Sequence, residues 1–292
     1  MPRTGIVTVV GKPNVGKSTL LNRIVGQKLS ITSSKPQSTR DRIVGIYTND
    51  DSQMVILDTP GLLDPKYPLQ ESMRTTAVRA LDEADVIVYL TDATEGEPPP
   101  LVEAAKLAQS PSAPVIIALN KSDQLPGVRR DQLASHDDAI LVSALTGEGF
   151  PELMQRIGER LPESPFLYPE DEISTQPVRF FVAELVRETV LEQLHDEVPY
   201  AVAVQIDEYR EGRSPLYIRA VIYVERDSQK AIIIGNKGSQ IKKLGEAARK
   251  KIETLVGEKV YLDLWVKVLA NWRKSPGSLS RLGYQLASGK GK

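Results

Sequence analysis

Gly11-Lys12-Pro13-Asn14-Val15-Gly16-Lys17-Ser18 lies between a β-branched apolar run at 5–10 and a periodic segment that opens at Lys17. The run reads as a strand and the segment as a helix over 17–26, so the string is a glycine-rich turn joining the two. In that setting small residues let backbone N–H groups close around a phosphate, and the helix N-terminus adds a favourable dipole. Lys17 is placed to neutralise β- and γ-phosphates. The Ser18 hydroxyl is placed to ligate Mg²⁺, with Thr19 beside it on the first helical turn.

Outward from this turn, short β-branched runs at 42–48, 53–58, 85–91, 114–119 and 139–143 alternate with helix-compatible stretches at 70–83, 100–109 and 147–161. That alternation predicts an α/β fold with a mainly parallel sheet and helices on both faces. Ligands of such folds sit at the carboxyl ends of the strands. Two further strings follow predicted strands there. Asp58-Thr59-Pro60-Gly61 ends the run Met54-Val55-Ile56-Leu57, where the carboxylate can hold magnesium and the Gly61 N–H can meet a γ-phosphate. Asn120-Lys121-Ser122-Asp123 ends Val115–Leu119. The Asp123 carboxylate can accept from both N1–H and the 2-amino group of guanine, a donor pair that adenine lacks. The Lys121 stem can cover the base, Asn120 can tie this loop to the phosphate loop, and Ser143-Ala144-Leu145 can offer a backbone N–H to guanine O6. The three strings in this order predict a GTP-binding switch.

Two segments are expected to respond to the γ-phosphate. Pro36–Arg40 follows the first helix, with Thr39 as a further magnesium ligand, and 61–70 forms the second. The residue after Gly61, where many GTPases carry a water-orienting glutamine, is Leu62, so binding is better supported than fast hydrolysis. Asn14 has two readings: a side-chain ligand for K⁺ beside the β–γ bridge, or a turn residue.

A stretch with four prolines, 162–177, separates this region from a second pattern: helix 178–195, strands 200–209 and 216–226, a helix, the turn Gly235-Asn236-Lys237-Gly238, helix 239–256 and strand 259–268. In helix 239–256, Ile241, Leu244, Ala248, Ile252 and Leu255 form one face, while Lys242 and Lys243 point elsewhere. GxxG between two helices in an αββααβ order resembles a type II KH module, which clamps a single-stranded RNA backbone. The expected division is 1–165, a linker at 166–177, the KH-like domain with its extension at 178–284, and a tail at 285–292. Trp265 is expected to pack the last strand, and Trp272 and Tyr284 to pack core or tail. His136 and His195 lack metal-ligand company and read as structural or solvent-facing.

Composition narrows the classes. The chain has 292 residues and a net charge of −1, but 228–292 holds 14 Lys/Arg against 4 Asp/Glu, leaving 23 against 34 before it. That segregation predicts a polyanionic partner for the C-terminal part. There is no cysteine, which excludes disulfides and thiolate metal sites. The start lacks the features of a secretory signal, and no apolar run approaches the ~18 residues that span a bilayer. A soluble, cytoplasmic monomer is expected.

The chain as a whole resembles the bacterial Era GTPases. GKPNVGKSTLLN, PQSTRDRIVGI, DTPG, NKSD and SAL match the G domain of that family, and HDEVPYAVAV (195–204), ERDSQKAIIIGNKGSQIKKLGEAARKKIE (225–253) and NWRKSPGSLSRLGY (271–284) match its C-terminal half. The resemblance implies GTP and GDP as ligands, GTP hydrolysis, Mg²⁺, and binding near the 3′ end of 16S ribosomal RNA during maturation of the 30S subunit. It also implies peripheral contact with the cytoplasmic face of the membrane. RNA contact is assigned to Gly235, Asn236, Lys237, Gly238, Lys242 and Lys243. The loop departs from commoner family forms by placing Asn236 second and Lys237 third. Two other readings remain at this stage: a GTP-dependent RNA scaffold whose hydrolysis is incidental, and a GTPase acting on protein or membrane partners.

Overall fold

The computed structural model describes residues 1–33, 35–134, 139–212 and 214–286. His136 and the expected tail beyond 286 lie outside the described residues. The chain divides into two compact units, one of residues 1–65 and 73–175, the other of 66–72 and 176–292.

The first unit begins with β1 (Arg3–Val10), the glycine-rich turn and α1 (Lys17–Val25), then β2 (Ile43–Thr48), β3 (Ser52–Asp58) and α2 (Pro68–Asp82). It continues through β4 (Val86–Asp92), α3 (Leu101–Ala104), β5 (Val115–Asn120), α4 (Gly127–Ala134), β6 (Ala139–Leu141) and α5 (Phe150–Arg160). The sheet order is β2-β3-β1-β4-β5-β6. Every pairing is parallel except β2 with β3. Chain order reverses at β1, flanked by β3 and β4, and the phosphate-loop string leaves β1 at that switch point. Central strands covered on both faces read as continuous apolar runs: Val7, Val9, Ile56, Ile87, Val88 and Leu90 are wholly buried. Truncating one, as in Leu90→Ala, would cost about 2–5 kcal/mol.

Several boundaries differ from expectation for identifiable reasons. Helix α3 stops after one turn because Lys106 adopts a left-handed φ of 49°. The short helix α4 was not foreseen. The proline-rich stretch is extended, but it is pinned along the sheet edge. Gln53, wholly buried, accepts from the Leu167 and Tyr168 N–H groups at 2.8 and 2.9 Å and donates to the Tyr168 carbonyl at 2.9 Å. The Ile46 N–H donates to the Ile173 carbonyl at 2.9 Å. A buried amide needs its partners, and these backbone groups supply them.

The second unit holds α6 (Val178–Gln193), β7 (Ala203–Arg210), β8 (Leu216–Val224), α7 (Asp227–Ile234), α8 (Ser239–Val256), β9 (Val260–Val268) and α9 (Pro276–Arg281). Its sheet runs β7-β8-β9, with β8 antiparallel to β7 and parallel to β9. One sheet face buries Leu216, Ile218, Ala220, Ile222 and Val224 against Val182, Val186 and Val190 of α6 and Leu244, Ala248 and Ile252 of α8. On the other face Val221 and Tyr223 of β8 are also buried, and Gln205 of β7 donates to the Arg281 carbonyl of α9 at 3.0 Å.

Candidate functional site

In the first unit, a cleft of about 520 Å³ opens at the carboxyl ends of the parallel strands, lined by Pro13, Asn14, Gly16, Lys17, Ser18, Thr19, Thr39, Gly61, Asn120, Lys121, Asp123, Ala144 and Leu145, together with 31–33, Gln37, Ser38, Leu63, Met73 and Gln124. A cleft of this size accommodates a nucleotide. The three separated strings therefore meet in one place.

The phosphate end is built on buried charge. The Lys17 ammonium donates to the Gly11 and Lys12 carbonyls at 3.1 and 2.8 Å. Burial pulls its pKa down to about 8, with the Asp58 carboxylate opposing the shift. Phosphate oxygens are stronger acceptors for the same donors. Asp58, wholly buried at the end of β3, gathers hydroxyls: its Oδ2 accepts from Ser18 at 2.8 Å and Ser30 at 2.7 Å, while Thr39 stands 2.9 Å from the Ser18 oxygen. Burial raises the Asp58 pKa, against Lys17 and the three hydroxyls. Its Oδ1 is buried with no hydrogen-bond partner among the described residues. A buried carboxylate oxygen without a donor, beside two hydroxyl oxygens, is a hard, oxygen-only donor set of the kind Mg²⁺ takes. Ser18, Thr39 and Asp58 fit the ion.

Other residues of the strings act from behind the cleft. The Thr59 hydroxyl donates to the Val9 carbonyl at 2.8 Å, fixing the turn after β3 onto β1, and Pro60 is buried. The Leu62 N–H donates to the Gly11 carbonyl at 2.9 Å, but its side chain is buried among Val10, Ala77, Leu81, Ile87 and Tyr89. Leu62 is thus a core residue that braces the phosphate loop through its backbone, and Leu63 faces the cleft instead. The Lys12 side chain likewise leaves the cleft, pairing at 3.0 Å with Glu95 on the surface.

The base end is held by Asn120. Its Nδ2 donates to the Val15 carbonyl at 2.6 Å and its Oδ1 accepts from the Ala144 N–H at 2.8 Å. A Cβ on Gly16 would stand 2.2 Å from that Nδ2, so glycine is required for the approach. Lys121, in a left-handed conformation, pairs with Asp92 at 2.5 Å. Asp92 is itself held below the usual carboxylate range: burial works against its charge, but hydrogen bonds from Lys121 and Thr94 outweigh it. Ser122 is buried and donates to Glu148 at 2.8 Å. The Ser143 hydroxyl donates to Asp123 Oδ1 at 2.6 Å, orienting an exposed carboxylate. The N–H groups of Ser143 and Ala144 are engaged by the Glu148 carbonyl and Asn120, whereas the Leu145 N–H has no partner among the described residues.

Sequence reasoning missed four supporting residues. Ser30 donates to Asp58. Asn22 holds Leu29 and Ser30 through their N–H groups at 2.9 and 2.8 Å. Arg23 donates to the Ala144 carbonyl at 2.6 Å and to that of Leu145. Glu148 receives Ser122 and pairs with Arg130. The hydroxyl-rich run Ser30–Ser33 was the one local hint.

In the second unit, Gly235–Gly238 joins α7 to α8 as expected, with Asn236 and Lys237 exposed. Beside it, a groove of about 380 Å³ runs between α8 and the edge strand β9, lined by Ile241, Lys242, Gly245, Glu246, Arg249, Leu262 and Leu264, with Val260 and Tyr261. Lys242 lines this groove and Lys243 is exposed outside it, while Arg249, a basic residue off the core face of the helix with no contact assigned from the sequence, lines it too. The expectation for Trp265 is corrected: it is 49% exposed on the open sheet face, because β9 alternates and its inward positions are Val260, Leu262, Leu264 and Val266. Trp272 is wholly buried, donates to the Ala201 carbonyl at 2.8 Å and stacks on Tyr284 at 5.9 Å, so neither ring is free for a base. His195 is exposed. Among the described residues, no His/Cys/Asp/Glu cluster could hold a metal, and no helix is long and apolar enough to cross a membrane.

Comparison with known proteins finds relatives for both units. The family model described as 50S ribosome-binding GTPase matches residues 6–121, and the KH domain model matches 197–273. GTPase Era of Carboxydothermus hydrogenoformans is 41% identical over 291 residues, covering 97% of this chain and 98% of that protein. GTPase Era of Thermotoga petrophila is 44% identical over 281 residues, covering 93% and 94%. A crystal structure of Era with MgGDPNP and nucleotides 1506–1542 of 16S ribosomal RNA superposes with a TM-score of 0.91 at 40% identity, covering 98% of this chain and all of that one. A variant of Aquifex aeolicus Era bound to GDP·AlF4⁻ gives 0.90 at 40% identity, covering 97% of this chain and all of that one. With identity at this level along nearly its full length, the chain belongs to the Era GTPase family.

Proposed function

We propose that the protein is a GTP-binding and slowly GTP-hydrolysing switch that binds 16S ribosomal RNA near its 3′ end and assists maturation of the 30S subunit. One observation carries this: the oxygens of Ser18, Thr39 and Asp58 and the guanine-reading pair Asp123–Ser143 line or back a single cleft, in a chain whose other unit presents a KH groove. The Era solved with MgGDPNP and a 16S fragment supports the choice of ligands.

Lys17 and the loop N–H groups would hold the β- and γ-phosphates, while Ser18, Thr39 and Asp58 would hold magnesium, which would supply neutralising charge to the phosphates. Asp123 accepts from guanine N1–H and the 2-amino group, and the Leu145 N–H is the donor left for O6. In hydrolysis, water oxygen bonds to the γ-phosphorus as its bond to the β–γ bridging oxygen breaks, giving GDP and phosphate. Leu62 is turned into the core, so no side chain at that position orients the water. Without a partner the rate falls on the order of 10⁻⁴–10⁻² s⁻¹. Asn14, which lines the cleft with φ 64°, is the K⁺ ligand in this account. Single-turnover hydrolysis in KCl against NaCl, with and without RNA, tests both the cation and the RNA trigger; no response to either favours an incidental-hydrolysis scaffold. The protein acts in the cytoplasm, and peripheral membrane contact is tested by co-sedimentation with anionic vesicles.

The nucleotide assignment is tested with Asp123→Asn. GTP-over-ATP preference should fall at least tenfold, since the carboxylate is the discriminating acceptor. Unchanged preference removes the assignment.

A further inference from the structure

The face of the β7-β8-β9 sheet turned away from α6 and α8 is covered at one end, where Val221 and Tyr223 are buried and Gln205 donates to the Arg281 carbonyl of α9, and carries exposed rings and cations in ordered rows over the rest. Arg210, Tyr217 and Tyr261 are in register across the three strands, as are Glu208, Arg219 and Asp263, and then Gln205, Val221 and Trp265. Lys267 follows two residues beyond Trp265. Tyr261 is 59% exposed and Trp265 49%. Neither ring packs into the main core, which lies on the other side of the sheet against α6 and α8.

The rings are held in place. Tyr217 and Tyr261 stack at 5.8 Å with planes 13° apart. The Trp265 Nε1 donates to Asp263 Oδ2 at 3.0 Å, and the same oxygen accepts from the Tyr217 hydroxyl at 3.0 Å and Arg219 Nε at 3.1 Å. The Arg219 guanidinium lies between the aromatic groups, 5.7 Å from the Tyr217 ring and 5.6 Å from that of Trp265. Arg210 stands 5.0 Å from the Tyr217 ring and Lys267 6.0 Å from that of Trp265. Fixed rings lose little freedom on stacking, so a flat partner meets a prepared surface. Arg210 and Arg219 both pair with Glu208, and Arg219 also with Asp263, so the three cations and two carboxylates leave a single positive charge in excess.

We propose that this open sheet face is a second site for single-stranded RNA, in which unpaired bases stack on Tyr261 and Trp265 and backbone phosphates meet Arg210, Arg219 and Lys267. Stacking on aromatic platforms beside cations is the general chemistry of single-strand binding, and it needs bases free of a duplex. Continuity favours RNA over other partners. Strand β9 is an edge: its inward residues Leu262 and Leu264 line the groove beside α8, and its outward residues form the platform. Tyr261 belongs to both, so a strand leaving the groove crosses one edge to reach the rings. From Tyr261 to Trp265 the strand advances roughly 13 Å. The proposal rests on the RNA reading of the groove for the direction from which the strand arrives.

The test uses the full chain and two RNAs: a tetranucleotide, the length that a GxxG clamp holds, and a fragment corresponding to nucleotides 1506–1542 of 16S ribosomal RNA. Three variants are compared: Trp265→Ala, Lys267→Glu, and the clamp double variant Asn236→Asp with Lys237→Asp. Trp265→Ala should weaken the long RNA about tenfold, the scale of losing one stacked base, and leave the tetranucleotide unchanged, with Trp265→Phe restoring most of the affinity. Lys267→Glu should weaken the long RNA alone, which guards against a folding defect in the tryptophan variant. The clamp variant should weaken both. Long RNA should also protect the exposed tryptophan fluorescence from acrylamide. Long-RNA affinity unchanged by both Trp265→Ala and Lys267→Glu, with the clamp variant still defective, overturns the platform and leaves the groove. A clamp variant that binds both RNAs normally overturns the groove reading instead. Trp265-dependent binding to phosphatidylglycerol vesicles, without Trp265-dependent RNA binding, assigns the face to membrane and overturns the proposal.

Discussion

Asn120 reaches back across the sheet to Val15, its side-chain amide donating to that carbonyl at 2.6 Å while its oxygen takes the Ala144 N–H at 2.8 Å. One buried side chain therefore joins the phosphate loop, the strand end and the base loop. Asn120→Asp keeps the shape but turns an acceptor toward the Val15 carbonyl. A buried mismatch of this kind costs about 1–3 kcal/mol. Thermal unfolding should show that loss, and GTP affinity should fall at least tenfold. Normal melting with normal affinity would show that the bridge does not organise the site.

Ser30 shares Asp58 Oδ2 with Ser18. Ser30→Ala removes a hydrogen bond to a charged group, about 1.5–3 kcal/mol in general, but leaves Ser18 and Thr39 in place. Nucleotide binding titrated against magnesium should need several-fold more Mg²⁺, with affinity regained at saturating ion. A loss that magnesium does not restore would place Ser30 outside the metal's support.

Arg23 of α1 clamps the base loop by its carbonyls at Ala144 and Leu145. Arg23→Ala frees the segment whose Leu145 N–H is assigned to guanine O6. GTP and GDP affinity should fall five- to tenfold together, on the scale of about 1 kcal/mol for one such bond, while the magnesium requirement stays the same. A changed magnesium requirement would contradict this division of labour.

The two glycines of the Gly235–Gly238 turn are not equivalent. Both have positive φ, 71° at Gly235 and 78° at Gly238, but a Cβ at Gly235 would lie 2.6 Å from the Gln240 Cβ, whereas at Gly238 it meets nothing within 4 Å. Gly238→Ala should cost about 1 kcal/mol for the left-handed conformation alone. Gly235→Ala should cost more and weaken tetranucleotide binding more strongly. Equal effects in melting and binding would contradict the packing difference.

How much was legible in the sequence follows from how local each feature is. Gly11–Ser18, Asp58–Gly61 and Asn120–Asp123 are contiguous strings attached to strand ends, and the parallel sheet brings strand ends together whatever the loops do. Ser30, Asn22 and Arg23 work only through tertiary approach, so nothing in their spacing announced them. Sequence order sets Leu62 beside the phosphate because it follows Gly61, but its apolar side chain turns into the core against Val10, Ala77 and Ile87. Trp265 was misplaced for a related reason. In Val260–Val268 both faces of β9 carry apolar or aromatic residues, so alternation alone does not say which face is covered; the helices α6 and α8 decide it.

The central claim is that the nucleotide state governs RNA binding, and its most direct test measures affinity for a fragment corresponding to nucleotides 1506–1542 of 16S ribosomal RNA with the full chain loaded with Mg·GDPNP or with Mg·GDP at one salt concentration. The account predicts at least fivefold tighter binding in the GDPNP state, the lower end of ordinary coupling between sites. Equal affinity in the two states would contradict it.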